Sequence, residues 1–368
     1  MKIGFVLDDS LDRGDGVQQY ILTLGVWLSH NGHEVHYLVG ETKNKSIPNV
    51  HPLSDNIGVR FNGNRMSIPL PADKSRITEL LSREQFDVLH VQMPYSPMLA
   101  GKVIKNAPSG TVLVGTFHIL PFGRLQALGA KLLAWWTRKS TAKLQKVWSV
   151  SEPAQAFALS LGIESQIMPN VIDLKRFKKA TARPDSFTIA FLGRLVERKG
   201  CLELLKAAEV LFLNNMPVKV LIGGTGPQET MLKDWVAKRK MTEVVSFEGF
   251  IKEADKPNFL ASATVAVFPS LGGESFGIVL LEAMAAGTQV VLGGNNPGYK
   301  SVMGSIPEAL IDPRNTLDFV ASLKRLYEDE PLRRRLHQKQ QALVAQYDIG
   351  LVGKKLVSYY QAIKDKTL

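Results

Sequence analysis

Short apolar runs alternate with longer segments of helical periodicity along most of the chain. In the first half these runs are residues 3–7, 35–39, 88–91, 112–116 and 147–150. In the second half they are residues 189–192, 218–222, 244–247, 265–268 and 289–292. Short aliphatic strands that alternate with helices are typical of parallel sheets covered by helices on both faces. The pattern therefore predicts an α/β protein with two such sheets.

The pattern is interrupted between Ile167 and Ser186, where Pro169-Asn170 is followed by a polar, basic run. A chain of 368 residues also exceeds what one hydrophobic core usually organises. We therefore expect one domain at residues 1–168 and another at residues 169–349, with a last helix at about 350–368 that packs back on the first domain. Beyond Glu328 the candidate buried positions are Leu332, Leu336, Leu343, Val352 and Leu356.

The composition is that of an ordinary folded protein. Apolar residues make up 45% of the chain and charged residues 21%, which excludes a disordered or fibrous protein. No stretch approaches the roughly 20 uninterrupted apolar residues of a membrane span, and the chain begins with a strand-like run. We therefore expect a cytoplasmic protein without a cleaved signal. Cys201 is the only cysteine and has no thiol partner, so we expect it to be buried.

The net charge of +11 is concentrated in one segment. No acidic residue lies between Asp87 and Glu152, where lysine and arginine contribute +8. A basic field of this kind attracts polyanions, which include nucleic acid, an anionic membrane surface and a phosphorylated substrate. The cations are Lys102, Lys105, Arg124, Lys131, Arg138, Lys139, Lys143 and Lys146.

Part of this segment has the periodicity of an amphipathic helix. Its apolar positions at helical spacing are Leu125, Leu128, Leu132, Trp135 and Trp136. Tryptophan beside lysine and arginine is typical of a membrane interface, which predicts peripheral contact with anionic lipid on the inner face of the plasma membrane. The residues expected at that contact are Arg124, Lys131, Trp135, Trp136, Arg138 and Lys139. The alternative is a helix half buried in the first domain, with a solvated basic face.

The most specific motif is residues 272–287, GGESFGIVLLEAMAAG, which follow a predicted strand. A glycine-rich turn that opens a helix leaves free N–H groups for a phosphate. We expect Glu274 at the start of this helix and Glu282 two turns along nearly the same face, about 12 Å further on. One carboxylate would then bind a sugar and the other a ribose. The alternative is a capped helix with two solvated glutamates.

Two cations and a histidine are expected beside strand ends. Arg194 and Lys199 follow the run 189–192, and His118 follows the run 112–116. Open α/β sheets bind ligands at the carboxyl ends of their strands, where fixed cations offset charge on a departing diphosphate. The alternatives are surface cations near a turn, and a histidine that is an ordinary polar residue.

These motifs together resemble the family 4 retaining glycosyltransferases of the GT-B fold, and the likeness covers nearly the whole chain. The resembling segments are residues 272–287, 191–194 with 199–200, 223–227, 169–170 with Asp173, and 16–17. The resemblance implies two Rossmann-like domains that face each other across a deep cleft. It also implies a nucleotide-sugar donor and retention of anomeric configuration. The catalytic residues implied are His118, Glu274, Arg194 and Lys199.

The same resemblance implies the rest of the donor site. Besides Arg194, Lys199 and Glu274, the residues expected to bind the donor are Gly16, Lys256, Phe276, Gly277, Ile278 and Glu282. No Asp-x-Asp motif stands where a metal-bridged diphosphate would require it, and the Arg194–Lys199 pair can replace the charge of a metal. We therefore expect no metal and no cofactor apart from the nucleotide-sugar substrate.

Within the family, residues 15–18, 61–63 with Arg65, 116–118 and 272–287 most resemble the phosphatidylinositol mannosyltransferases. This resemblance implies GDP-mannose as donor, with a UDP-sugar as the alternative, and a phosphatidylinositol-type lipid as acceptor, with another glycolipid or a soluble polyol as the alternative. Gln18 and Asn62 are suited to inositol hydroxyls and Arg65 to phosphate, whereas Asn62-Gly63 can equally be a tight turn. Asp15 and Val171 depart from the family pattern, because glycines usually stand there.

Other functions fit parts of the sequence. Double Rossmann folds also carry sugar-nucleotide epimerases and phosphorylases. The basic segment alone is compatible with a nucleic-acid-binding protein, but it contains no recognisable binding module and would leave the glycine, arginine and glutamate motifs unused. We therefore expect an enzyme that acts on a nucleotide-sugar and an anionic lipid, and no nucleic-acid partner.

Overall fold

The computed structural model describes residues 1–12, 14–61, 64–70, 72–121 and 124–367, with side chains except at 56–69, 124–126 and 367. The chain divides into two compact units. The first consists of Met1–Val171 with Ile349–Leu368, and the second is Ile172–Asp348. The chain thus passes from the first unit to the second after Val171, within the polar segment that the sequence indicates. It returns at Ile349, where the predicted last helix begins.

The first unit is built on a seven-stranded sheet in the order β3-β2-β1-β6-β7-β8-β9, with all neighbouring strands parallel. Its strands are β1 (Lys2–Leu7), β2 (Glu34–Gly40), β3 (Val50–Ser54), β6 (Val88–Gln92), β7 (Val112–Phe117), β8 (Lys146–Ser149) and β9 (Gln166–Ile167). An antiparallel pair, β4 (Asn56–Phe61) and β5 (Asn64–Pro69), is separate from it.

Helices connect these strands. They are α1 (Gly16–His30), α2 (Lys74–Glu84), α3 (Leu99–Asn106), α4 (Arg124–Thr141) and α5 (Glu152–Ser160). Two of them begin at a capping side chain, which satisfies a free N–H of the first turn. Asp73 accepts from the Ser75 N–H at 2.8 Å at α2, and Ser151 accepts from the Ala154 N–H at 3.2 Å at α5.

The second unit contains a six-stranded parallel sheet in the order β12-β11-β10-β13-β14-β15. Its strands are β10 (Phe187–Leu192), β11 (Val218–Gly223), β12 (Val245–Gly249), β13 (Val265–Phe268), β14 (Val290–Gly294) and β15 (Leu310–Ile311). Its helices are α6 (Leu174–Phe177), α7 (Cys201–Leu213), α8 (Glu229–Lys238), α9 (Lys256–Ala261), α10 (Ile278–Ala286), α11 (Pro297–Met303), α12 (Thr316–Glu328) and α13 (Glu330–Ala345). Short 3-10 helices lie at Glu197–Lys199 and Pro307–Ala309.

The expected α/β class with two parallel sheets is confirmed, and every predicted strand is present. The strands that the pattern missed are β3, β4, β5, β9 and β15. β3 contains Pro52, and β9 and β15 have two residues each, so these three strands do not form apolar runs of strand length. Cys201 is fully buried, as expected.

The last helix, α14 (Ile349–Thr367), packs on the first unit. Its Val352 and Leu356 join a buried cluster that includes Ile21 and Leu24 of α1. The five positions predicted to be buried beyond Glu328 are all buried, which confirms that expectation. Among the described helices, none is long and apolar enough to cross a membrane.

This packing predicts that Leu356→Ala destabilises the first unit by about 2–5 kcal/mol, because a fully buried leucine leaves a cavity when it is truncated. Leu351→Ala on the same helix is the matched control, since Leu351 is exposed and should cost less than about 0.5 kcal/mol. Urea unfolding of both variants measures the difference. Equal midpoints for the two variants would contradict the docking of α14.

Candidate active site

The strand order of the second sheet reverses between β10 and β13. The segment after β10 contains Arg194 and Lys199, and the segment after β13 contains Glu274. In open α/β sheets, ligands bind outside the carboxyl ends of the strands at such a reversal. The candidate donor residues of the second unit therefore follow the two strands that flank the reversal.

Backbone groups of neighbouring loops lie against one another at this edge. The Gly193 N–H donates to the Gly223 carbonyl oxygen at 3.0 Å. Gly224 has a φ of +129°, and a Cβ there would lie 1.9 Å from the Gly193 carbonyl oxygen. Gly200 has a φ of +72°, and a Cβ there would lie 2.0 Å from the Pro269 carbonyl oxygen. Only glycine fits such positions, so the loops after β10, β11 and β13 form one packed structure.

Glu274 is held at one oxygen by three donors. Its Oε1 lies 2.8 Å from Arg198 Nη1 and 2.8 Å from Lys199 Nζ. The Ser270 hydroxyl donates to the same oxygen at 2.8 Å. The side chain is 12% exposed, and among the described residues its Oε2 has no hydrogen-bond partner. The carboxylate is therefore fixed in position with one oxygen left for a ligand.

The charges of this cluster perturb one another. Burial alone would raise the pKa of Glu274, but Lys199 and Arg198 outweigh it and hold that pKa below its usual value. Burial lowers the pKa of Lys199, and the nearby Arg198 and Arg194 lower it further against the effect of Glu274. The cluster thus combines an ionised carboxylate with an excess of positive charge, which an anionic ligand would offset.

Arg194 supplies the uncompensated part of that charge. It is half-buried in the loop after β10 and close enough to Lys199 to lower its pKa. Among the described residues, no carboxylate pairs with its guanidinium and no side-chain hydrogen bond holds it. A guanidinium in this state can fork onto phosphate oxygens without breaking an existing ion pair.

The expected position of Glu274 at the start of a helix is wrong. α10 begins at Ile278, so Glu274 lies in the preceding loop and does not share a helix face with Glu282. Gly272, Gly273 and Gly277 all have positive φ values, which a right-handed helix does not contain. The alternative with two solvated glutamates is also wrong, because the side chains of Glu274 and Glu282 are 12% and 8% exposed.

Glu282 belongs to a second ion cluster. Its Oε1 lies 3.3 Å from Lys256 Nζ, which also lies 2.5 Å from Glu253 Oε1. Arg176 completes the chain with a contact of 3.2 Å to Glu253. Burial raises the pKa of Glu282, although the nearby Lys256 acts in the opposite direction. Burial would lower the pKa of Lys256, but the carboxylates of Glu282 and Glu253 outweigh it and raise that pKa. Lys256 is therefore already paired, and Glu282 is positioned by it.

The remaining candidate donor residues shape the start of α10. Gly277 caps the helix with a φ of +106°, and a Cβ there would lie 2.5 Å from the ring of Tyr299. Phe276 is buried, with its ring centroid 5.7 Å from that of Tyr347. Ile278 is the first residue of the helix and is half-buried. Phe276 thus packs inside the unit, while the turn at Gly277 sets the direction of the helix.

In the first unit, His118 directly follows β7 and is buried. Its Nε2 lies 2.7 Å from Gln92 Oε1, and Gln92 Nε2 donates to the His90 carbonyl oxygen at 3.3 Å. Because this second bond fixes the amide orientation, His118 must donate from Nε2, which leaves Nδ1 as an acceptor. Burial lowers the pKa of His118 to about 3, so the ring is neutral at pH 7. Tyr20 packs edge-on against it at 5.1 Å.

Gly16, a candidate donor residue on the first unit, is exposed at the first position of α1, next to the exposed Asp15. The candidate acceptor residues Gln18, Asn62 and Arg65 are less accessible or lie outside the described part of the chain. Gln18 is buried, and its amide donates to Asp9 Oδ2 at 3.1 Å and to the Ser10 carbonyl oxygen at 3.3 Å. Asn62, with the expected turn, lies outside the described residues, as does the side chain of Arg65. The other departure from the family pattern, Val171, is buried in the core of the first unit.

The outer face of α4 is apolar and basic. Leu128, Leu132, Trp135 and Trp136 are 66%, 65%, 74% and 68% exposed. Lys131, Arg138 and Lys139 are exposed beside them, whereas the side chain of Arg124 lies outside the described part. The helix buries Ala134 and Thr137 instead. The half-buried alternative is therefore wrong for these leucines and tryptophans.

Several residues of these sites were missed from the sequence. Arg198 and Ser270 hold Glu274, and Gln92 sets the tautomer of His118. His118 was predicted from its position at the carboxyl end of a strand. The same rule would have found Gln92, because it is the last residue of β6. The side chains of Arg198 and Ser270 carry no comparable signal, since a three-residue 3-10 helix turns Arg198 toward the neighbouring loop.

Comparison with known proteins identifies the family of the chain. The "Glycosyltransferase Family 4" model matches residues 14–176, and the "Glycosyl transferases group 1" model matches residues 173–342. The chain belongs to the family 4 glycosyltransferases. It is 29% identical to a phosphatidyl-myo-inositol mannosyltransferase of Mycolicibacterium smegmatis, over 99% of this chain and 94% of that protein.

Solved structures share the GT-B fold of the chain. A glycosyltransferase from Rickettsia africae has a TM-score of 0.76 at 16% identity and covers 98% of both chains. Anabaena HepE in complex with UDP and glucose has a TM-score of 0.71 at 16% identity, over 98% of this chain and 99% of that one. The expected fold and glycosyltransferase class are therefore confirmed.

The close backbone approach at the strand ends predicts unequal effects of two glycine substitutions. Gly224→Ala and Gly249→Ala both place alanine at positive φ, at a cost of about 1–2 kcal/mol. At Gly249 no atom lies within 4 Å of the added Cβ, whereas at Gly224 the clash adds to this cost and displaces the loop that carries Arg194. Urea unfolding should show clearly greater destabilisation for Gly224→Ala, and similar losses would contradict the packed loops.

Proposed function

We propose that this glycosyltransferase moves a hexose, mannose from GDP-mannose, to a phosphatidylinositol-type lipid at the cytosolic face of a membrane. The observation that carries the donor half is Arg194, which has no ion-pair partner in the described part of the chain, beside Lys199 and the fixed carboxylate of Glu274. The acceptor half is supported by the phosphatidyl-myo-inositol mannosyltransferases that match the chain along nearly their whole length, and by the outer face of α4.

In this proposal, the diphosphate of the donor lies against Arg194, Lys199 and the turn before α10. The bond between the anomeric carbon and the diphosphate breaks, and negative charge accumulates on the departing oxygen. Fixed cations offset this charge without rearranging, which lowers the barrier. No metal is required for this charge to be offset, so we expect transfer to continue in the presence of a chelator.

The two glutamates have different tasks. Glu274 is ionised and fixed through Oε1, so its Oε2 can accept from a hydroxyl of the sugar. Glu282, held by Lys256, can accept from the ribose in the same way. Both are positioned before the donor binds, so little conformational entropy is lost on binding.

We further propose that the anomeric configuration is retained. The acceptor hydroxyl approaches the face of the sugar that the diphosphate leaves, and its proton passes to the departing phosphate oxygen. His118, with a neutral ring and an Nδ1 that has no hydrogen-bond partner among the residues described, orients a sugar hydroxyl and does not act as an acid. Gly16 is the first residue of α1 in the same unit and has no side chain, so the backbone there stays accessible to the donor.

The acceptor is expected to bind the first unit through Asn62 and Arg65, and through the amide oxygen of Gln18, since the amide nitrogen of Gln18 already donates to Asp9 and Ser10. The apolar and basic face of α4 supports peripheral contact with anionic lipid, because exposed tryptophans flanked by cations suit the headgroup region. A UDP-sugar donor, another glycolipid or a soluble polyol is the alternative within the same family.

A donor screen with the purified protein tests the proposal. Hydrolysis of and transfer from GDP-mannose and UDP-sugars are followed with and without phosphatidylinositol vesicles, in the presence of a chelator. Lipid-dependent turnover of GDP-mannose is expected. Turnover of a UDP-sugar without lipid would show that the proposed donor and acceptor are wrong, while the proposed site would still stand. Turnover that stops when the chelator is added would contradict metal independence.

Arg194→Ala and Glu274→Ala should each lower kcat by at least about 100-fold, as expected when a preorganised charge is removed from a transition state. Arg334→Ala and Glu330→Ala are matched controls, because both residues are exposed on α13. Circular dichroism checks that each variant is folded. Near-normal kcat in either site variant would eliminate the proposed donor site.

Charge reversal of Lys131, Arg138 and Lys139 to glutamate should weaken binding to anionic vesicles at least tenfold, since each cation near such a surface contributes about 1 kcal/mol. The matched control reverses Lys238, Lys240 and Lys252, which are exposed on the second unit. Sedimentation with vesicles of stated phosphatidylinositol content measures both. If both triple variants lost vesicle binding equally, net charge alone would account for the loss, and a role of α4 would be contradicted.

A further inference from the structure

Two histidines and a glutamate converge near the amino-terminal edge of the first sheet, away from every residue discussed above. His36 lies on β2, His51 on β3, and Glu84 is the last residue of α2. One ligand atom from each of the three lies within 4.8 Å of the others. We name these three residues the His36 cluster.

The fold brings the two imidazoles together. β2 and β3 are parallel neighbours, and His51 stands opposite Leu38, two residues beyond His36 on the same strand. Because side chains two residues apart share a face of the sheet, both rings point to one side. They stack with an interplanar angle of 6°, and His36 Nδ1 lies 2.8 Å from His51 Nε2.

Glu34 determines which nitrogen of His36 carries the proton. Its carboxylate can only accept, and its Oε1 lies 2.9 Å from His36 Nε2. The proton of neutral His36 is therefore on Nε2, and the lone pair of Nδ1 faces His51. A carboxylate that orients the far nitrogen of a histidine in this way is the usual partner of a metal-binding imidazole.

The proton between the two rings is in the position that a metal ion would occupy. His36 Nδ1 accepts it from His51 Nε2, because Glu34 holds the proton of His36 on the other nitrogen. Replacing this proton by a metal requires that the nitrogens separate to about 3.3 Å, as for two ligands at about 2.0–2.1 Å in a tetrahedral site. His51 is half-buried, so its ring is less tightly enclosed than the buried ring of His36.

We propose that the His36 cluster binds one Zn²⁺ ion through His36 Nδ1, His51 Nε2 and a carboxylate oxygen of Glu84, with water as the fourth ligand. Imidazole nitrogen and carboxylate oxygen are ligands that Zn²⁺ accepts and that Mg²⁺ does not favour together. The ion would tie β2, β3 and the end of α2 to one point. It lies apart from the proposed transfer site, so the inference does not depend on the proposed function.

When no metal is bound, a lysine and an arginine form ion pairs with the carboxylates of this region. Lys2 Nζ lies 3.1 Å from both Glu34 and Glu84, and Arg83 lies 3.0 Å from Glu84. The ion must therefore compete with Lys2 for Glu84. Removing the ammonium group should strengthen Zn²⁺ binding, which is the opposite of what random surface binding predicts.

Zn²⁺ titration of the full chain without an affinity tag, against a chromophoric chelator, tests the proposal. One equivalent is expected to bind with a rise in Tm, because an ion that binds only the folded state stabilises it. Mg²⁺ at the same concentration should leave Tm unchanged. Release of a proton on Zn²⁺ binding and weaker binding at lower pH are expected, because the ion replaces the proton between the rings.

Variants separate this site from adventitious binding. His51→Gln should weaken Zn²⁺ binding at least tenfold, and Glu34→Gln by about 10–100-fold, as for other partners that orient a ligand. Lys2→Ala should strengthen it. His33→Gln is the matched control and should bind as the parent does. Circular dichroism and Tm without metal show whether each variant is folded.

Absence of a Zn²⁺ equivalent in the parent protein would overturn the proposal. Binding that survives His51→Gln, or that is lost equally in His33→Gln, would also overturn it, because the ion would then lie elsewhere. These readouts involve no donor or acceptor, so they stand whether or not GDP-mannose is the substrate.

Discussion

The second unit depends on the close approach of backbone to backbone at the carboxyl ends of its strands. Gly200 and Gly224 have positive φ values and face carbonyl oxygens at distances that no side chain allows. This contact fixes where the loop after β10 lies relative to the loop after β13. Since Lys199 belongs to one loop and Glu274 to the other, the ion pair between them exists only because the glycines let the loops meet.

Electrostatics then determines what the packed loops can bind. A buried carboxylate is costly unless it is paired and hydrogen-bonded, and three donors on one oxygen of Glu274 meet that cost. The cluster still has more cations than carboxylates, because Arg194 is close to Lys199 and has no ion-pair partner among the described residues. A site of this kind is less stable empty than occupied by an anion, which is a usual property of sites built for function.

The sequence predicted the elements well where periodicity was strong and failed where geometry is set by contacts between distant segments. The apolar runs identified the long strands, and the motif order identified the family. The start of α10 was misplaced, because a glycine-rich run can open a helix or precede it, and only the φ values of Gly272, Gly273 and Gly277 decide between them. The partners of Glu274 were missed for a related reason, since the neighbouring loop that supplies Arg198 is 76 residues away in sequence.

The two units meet polar ligands by different physical means. The second unit places fixed charges at the ends of its strands, and in the proposed reaction such charges would suit a diphosphate that becomes more negative as it departs. The first unit uses neutral groups in a buried network: His90 is bonded to Tyr360 and Thr116 at 2.6 Å each, and His118 is bonded to Gln92. Burial lowers the pKa of both histidines to about 3, so neither gains a charge at physiological pH. A neutral acceptor such as His118 Nδ1 can orient a hydroxyl but adds no charge that would compete with the cations for the diphosphate. In the proposed reaction, the cations of the second unit would bind the anionic leaving group, and a neutral histidine would not compete with them.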